Sequence, residues 1–185
     1  PWVHRAAVAL AQGDVELAEQ VLDQAMAAHR HDDVQRADML ALRSQIATMR
    51  ADLDAAVSQQ RRANELYRSN FVSHHPKVVR CVLVLVQRLL ARGRPEDWLT
   101  AEVLLEASLH AQEQANITAQ DQAPTSFQLA QVLALKADHH DVLSRRRRAR
   151  LLASAALTAL QQSANHSAQV ANITARLAEK PRAKR

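Results

Sequence analysis

Apolar and small residues recur at intervals of three and four along most of this chain, the spacing that lines one face of an α-helix. One stretch of this kind, Gly13-Asp14-Val15-Glu16-Leu17-Ala18-Glu19-Gln20-Val21-Leu22-Asp23-Gln24-Ala25, returns as Ala51-Asp52-Leu53-Asp54-Ala55-Ala56-Val57-Ser58-Gln59-Gln60-Arg61-Arg62-Ala63. Residues 13, 18 and 25 map onto 51, 56 and 63 at a constant offset of 38. A fixed period of about 34 to 47 residues made of paired helices marks a stack of hairpins, each burying its apolar face against its neighbours.

The pattern predicts eight or nine helices. Trp2 to Gln12 and Asp14 to His29 form a first hairpin, with Gly13 freeing the turn and Asp14 placed to cap the second helix. Asp33 to Arg50 and Asp52 to Arg68 form another, with Leu40, Ile46, Ala47, Leu53, Ala56 and Val57 at apolar positions. Asn70 to His75 reads as a loop. Pro76, at a first helical turn where proline is tolerated, opens a helix running to Arg92. Gly93-Arg94-Pro95-Glu96-Asp97 breaks that helix before Trp98 to Asn116.

Ile117 to Pro124 reads as a polar linker ahead of Thr125 to Asp138. After His139-His140-Asp141 comes a helix from Val142 to Ser163, and neither Gly nor Pro stands there to decide between a hairpin and one long helix. Pairs of small residues seven apart run through the chain: Ala18 and Ala25, Ala56 and Ala63, Ala101 and Ser108, Ala149 and Ala156. Four hairpins over residues 1–163 follow. Residues 164–179 would form a capping element, with Val170, Ile173 and Leu177 on one stripe, and 180–185 a basic tail.

Composition narrows the fold class to all-α. Two Gly and five Pro leave little of the turn chemistry that strands need, and 3% aromatic residues force a core of Ala, Leu and Val in close helix contacts. The single cysteine, Cys81, can form neither an internal disulfide nor a thiolate metal site, and it lies inside an apolar run as a small buried hydrophobe. With no secretory signal, a reducing compartment, cytoplasmic or nuclear, is expected. On the same ground the motifs at Asn116, Asn165 and Asn172 read as chance matches to a glycosylation sequon. The opening Pro1-Trp2, without methionine, reads as a segment of something longer. Val82 to Val86 is too short an apolar run to span a bilayer.

Trp2, Ala6, Gly13, Ala18, Leu22 and Ala25 resemble the signature of the tetratricopeptide repeat (TPR) family: a large residue early in the first helix, small residues at the crossings and a Gly-Asp turn. Leu40, Ser44, Ala51, Ala56 and Ala63 match in the second unit, Gly93, Ala101 and Ser108 in the third, Ala149 and Ala156 in the fourth. The resemblance implies antiparallel helix hairpins stacked in a right-handed superhelix that binds other proteins. Departures are that Arg30 and Arg68 stand where a closing proline is usual, and Arg5 and Arg43 where the family is apolar. The spacing also stretches, from 38 between Ala18 and Ala56 to 45 and then 48 in the next two intervals. Such long repeats look like the TPR scaffold subunits of the anaphase-promoting complex or the sensor domains of MalT-type regulators.

Chemistry is sparse. Neighbouring residues on a helix point about 100° apart, so His74-His75 and His139-His140 do not converge on a metal. Asp32-Asp33 and Glu96-Asp97 stand at helix starts, where they offset the positive end of the dipole. No phosphate loop, nucleophile elbow or metalloprotease motif is present, so no enzyme, cofactor or metal is inferred.

The formal charge of +5 is unevenly spread: residues 141–185 hold ten Lys or Arg against two acids. Arg145, Arg146, Arg147, Arg148 and Arg150 form the densest cluster. Consecutive arginines spread around a helix, and no aromatic neighbour offers base stacking, so an acidic protein partner fits better than nucleic acid. A nuclear-import signal built with Lys180 to Arg185 is the other reading. On the TPR register the inner groove would be lined by Asp38, Ala41, Gln45, Thr48 and Met49, and by Arg80, Leu83, Gln87, Leu90 and Ala91. This mixed lining suits a helix or extended segment from a subunit of a larger complex. Two further readings are a small-molecule sensor of the MalT type and a basic C-terminal helix on nucleic acid.

Overall fold

A computed structural model describes residues 2–28, 32–140 and 143–161. These form eight helices: α1 (Trp2–Ala11), α2 (Val15–Ala27), α3 (Asp33–Met49), α4 (Leu53–Asn70), α5 (Pro76–Arg92), α6 (Pro95–Gln114), α7 (Ala119–His140) and α8 (Leu143–Gln161). No strand occurs among the described residues. The helices fall into two compact units that part at Asp97–Trp98. The capping element expected over residues 164–179 and the tail lie outside the described residues, as do Asn165 and Asn172.

In the first unit, α1 and α2 form one hairpin and α3 and α4 the next. Gly13 turns the chain at φ +81°, with its N–H donated to Leu10 O at 3.1 Å and that of Asp14 to Ala9 O at 2.9 Å. This paired bonding satisfies the last carbonyls of α1. Ala51 does the same after α3 at φ +61°, with Asp52 N–H donating to Ala47 O at 2.9 Å. Asp14 and Asp52 then cap the following helices, accepting from Leu17 N at 2.9 Å and Ala55 N at 3.0 Å. The side chains of Arg43 on α3 and of Arg50, which caps its end, pair with Asp23 and Glu19 on α2. Arg43, at a position the family fills with an apolar residue, thus ties one hairpin to the next.

The eight paired small residues are all buried. Ala18, Ala25, Ala56, Ala63 and Ala101 have no exposed surface, and Ser108, Ala149 and Ala156 have almost none. Missing side-chain bulk lets backbones approach: Ser44 Oγ reaches across the α3–α4 crossing and donates to Ala56 O at 2.8 Å. One core joins Ala6, Leu10, Leu22, Met39 and Ile46 from α1, α2 and α3. A second joins Leu40, Tyr67, Val78 and Cys81 from α3, α4 and α5.

Two boundaries differ from the sequence reading. The third turn ends sooner, because Pro95 occupies the first position of α6 and Glu96 and Asp97 its first turn. The linker expected over Ile117 to Pro124 is mostly helix, since α7 begins at Ala119 and Pro124 sits inside it. Thr118 explains this: its Oγ1 accepts from Asp121 N at 3.2 Å and donates to Asp121 Oδ2 at 2.7 Å, a reciprocal cap that starts the helix early. Pro124 then removes only one ladder bond near the helix start.

In the second unit, Gln112 on α6 donates through Nε2 to Thr125 Oγ1 of α7 at 3.1 Å, and Lys136 Nζ pairs with Glu102. The crossed order of these contacts makes α6 and α7 antiparallel. Ala123, early in α7, packs with Ala156, Ala159 and Leu160, late in α8. Residues 125–161 therefore form a hairpin, the alternative the sequence left open.

Candidate partner-binding faces

The packing of α3 through Ala37, Met39, Leu40, Ser44 and Ile46 leaves Asp38, Gln45 and Met49 on the opposite side, while Ala41, expected with them, packs partly against the core of α3, α4 and α5. On α5, burial of Val78, Cys81, Val82, Leu85, Val86 and Leu89 turns Arg80, Leu83, Gln87 and Ala91 outward in the same way. Gln45, Arg80 and Gln87 are exposed, Leu83 is half-buried, and Met49 is 48% exposed. Val8 on α1, which packs beside α3, is exposed as well. The repeat signature gave no signal for it, because the first unit's inner stripe is mostly small.

Asp38 differs from the rest of its stripe. Tyr67 Oη donates to its carboxylate, and Lys77 Nζ lies 3.2 Å away. Burial and this carboxylate together push the Tyr67 hydroxyl well above the ordinary tyrosine range. Lys77 also stands 5.6 Å from the Tyr67 ring centroid. Asp38 and Lys77 both lie near the starts of their helices, so the contact sets α3 and α5 side by side and parallel. The loop before α5 is fixed by Phe71 stacked on His75 at 4.1 Å, while His75 Nδ1 accepts from Lys77 N at 3.2 Å and caps α5.

At the other end of α5, Arg92 bonds Asp97 through two nitrogens, at 2.6 and 2.8 Å, and Asp54 of α4 at 2.8 Å. Asp97 is 1% exposed, and the Arg92 guanidinium holds its carboxyl below the usual range against the opposing effect of burial. Asp38–Lys77 thus joins α3 to α5 near their starts, and Arg92 fastens the end of α5 to Asp54 on α4.

A second face lies on α8. Arg147, Arg148 and Arg150 are exposed, while Arg145 and Arg146 are half-buried. Arg148 turns toward α6 and meets Glu106 at 2.8 Å. On another side, Arg146, Arg147, Arg150, Leu151 and Ser154 line a shallow hollow. Leu151 is 64% exposed, more than any other large apolar side chain among the described residues.

Cys81 is buried and its thiol is pushed up to about 12 by desolvation, only partly opposed by the Gln60 amide that donates to Sγ at 3.1 Å. Among the described residues no three His, Cys, Asp or Glu side chains come together in a way that could hold a metal ion. Of the sequence's carboxylate pairs, Asp32 caps α3 by accepting from Gln35 N at 2.7 Å and Asp97 is held by Arg92. No described helix is long and apolar enough to cross a membrane.

No protein-family model matches this chain, and no curated protein matches it in sequence. Among solved structures, the apo form of RapI superposes with a TM-score of 0.72 at 14% identity, over 95% of this chain and 62% of that one. This chain therefore spans less than two thirds of the length of RapI's chain. At that identity the likeness concerns the fold alone: the chain shares with RapI an all-α helical-repeat architecture.

Proposed function

We propose that this chain is a non-catalytic protein-interaction domain, a helical-repeat scaffold that holds a helix or extended segment of a partner along the α3–α5 face within a larger multiprotein assembly. The observation that carries this reading is the outward stripe of Gln45, Met49, Arg80, Leu83 and Gln87. It is mixed in polarity and lies mostly outside the packed core, on two helices joined near their starts by the Asp38–Lys77 ion pair. Recognition of a helical or extended segment by a shallow mixed face uses a few apolar anchors and a polar rim. Two hollows among the described residues are open, one lined by Glu19, Asp23, Arg43 and Arg50 and one by the α8 arginines with Leu151. Such linings suit protein surfaces better than a small apolar effector, which favours the scaffold over a MalT-type sensor. Assembly with other subunits follows from the resemblance to TPR scaffolds.

Peptides selected on the intact chain from a random library test this reading. Selected peptides should lose at least about tenfold in affinity on Gln45→Arg and on Gln87→Arg, since a long charged side chain in a packed contact removes more than 1.4 kcal/mol. Peptides that bind both variants as tightly as the parent chain would overturn the assignment of this face.

A further inference from the structure

We infer that the outer face of α8 is a second docking surface, separate from the α3–α5 stripe, and that it takes an acidic protein segment carrying an apolar side chain. Arg147 and Arg150 are exposed and make no ion pair among the described residues, whereas the neighbouring Arg148 is matched by Glu106. The cluster is therefore divided by the helix itself. One arginine faces an acid of its own unit, and Arg146, Arg147 and Arg150 line one hollow together with Leu151 and Ser154.

Among the described residues, no acid pairs with Arg147 or Arg150. Residues 98–140 carry five acids against one base, but Glu102 and Glu106 already pair with Lys136 and Arg148. The 24 residues after Gln161 carry five cations against one acid. Like charges held this close repel, and an opposing carboxylate cluster relieves that repulsion while steering association.

Leu151 decides the class of partner. It is 64% exposed amid the arginines. A phosphodiester backbone offers nothing to cover it, and no aromatic ring lies beside it for base stacking. An acidic amphipathic helix offers both parts: carboxylates for Arg147 and Arg150, and a leucine or similar side chain for Leu151.

The test uses the full chain and a fluorescently labelled synthetic helix of Glu and Asp with leucines four apart. Binding should weaken several-fold between 50 and 200 mM NaCl, as screening of exposed charges requires. Arg147→Glu with Arg150→Glu should reduce it at least about tenfold. Leu151→Ser should reduce it about fivefold, and replacing the peptide's leucines with serine should do the same. Arg147→Gln with Arg150→Gln, read alongside circular dichroism, covers the case in which charge reversal disturbs the helix. The inference fails if the peptide does not bind at 50 mM NaCl, or if Leu151→Ser leaves its affinity unchanged. It fails equally if duplex DNA of mixed sequence binds more tightly than the peptide and displaces it. Gln45→Arg and Gln87→Arg should leave this peptide's affinity unchanged, which separates the outcome from that of the α3–α5 face.

Discussion

Ala51 adopts φ +61°, a conformation that costs an L-residue with a Cβ about 1 kcal/mol or more, whereas Gly13 takes the equivalent turn at φ +81° without that cost. The added Cβ at Gly13 would meet no atom within 4 Å, so its substitution tests the backbone alone. Gly13→Ala should destabilise by about 1 kcal/mol, and Ala51→Gly should be neutral to stabilising by up to about 1 kcal/mol, the relieved strain being offset by a looser unfolded chain. Urea denaturation of the two variants checks the opposite signs. At this scale much was legible: the Gly-Asp turn, the aspartate caps and the small residues at crossings are local chemistry. Arg43 was not, because its meaning depends on Asp23, twenty residues away in sequence and adjacent only once two hairpins have stacked. Asp38 was placed on the inner stripe by its spacing. That Tyr67 and Lys77 hold it there depends on α4 and α5 being laid beside α3.

Between elements, the Arg92–Asp97 pair pins the end of α5 to the start of α6. The folded Asp97 carboxyl is held below its ordinary value chiefly by the Arg92 hydrogen bonds. Its contribution to stability is therefore present above the unfolded carboxyl's value near 4 and is lost as pH falls through the folded value. The denaturation midpoint should stay level from pH 7 to 5 and drop below about 4, and Asp97→Asn should flatten part of that drop. The same variant should cost about 2 kcal/mol at neutral pH, since Arg92 keeps Asp54 but loses its buried partner. A variant as stable as the parent at pH 7 would show that the pair is incidental. Element boundaries were read well where a Gly or Asp marks them and badly at Pro124. A proline read as a breaker is compatible with the second turn of a helix once Thr118 and Asp121 have started it. The α7–α8 hairpin was counted from the Ala149–Ala156 spacing, but its break was not legible, because no turn residue marks it; the packing of Ala123 against Ala156 and Leu160 reveals it.

At the scale of the whole molecule the chain divides into two units, and within the first each hairpin packs against the next, so damage should stay local. Ala18 is fully buried at a crossing, and Ala18→Leu should overpack it at a cost of about 1 to 3 kcal/mol. Hydrogen exchange should show lost protection in α1 and α2 with α7 and α8 unchanged. Uniform loss through all eight helices would mean a single cooperative unit instead. The two ties that hold α5, to α3 near its start and to α4 at its end, are unequal, and this bears on what the α3–α5 stripe can accept. At the Arg92 end the guanidinium is 14% exposed and bridges two carboxylates. At the Asp38 end the lysine is 43% exposed and its contact is a surface ion pair worth at most about 1 kcal/mol. One end therefore acts as a pivot and the other as a release. Rising ionic strength should loosen Asp38 from Lys77 first, so that the two helices splay at their starts and a bulkier segment is admitted there. Spin labels at Gln35 and His74 should then report a broader spread of distances in high salt, while labels at Met49 and Ala91 hold one narrow separation.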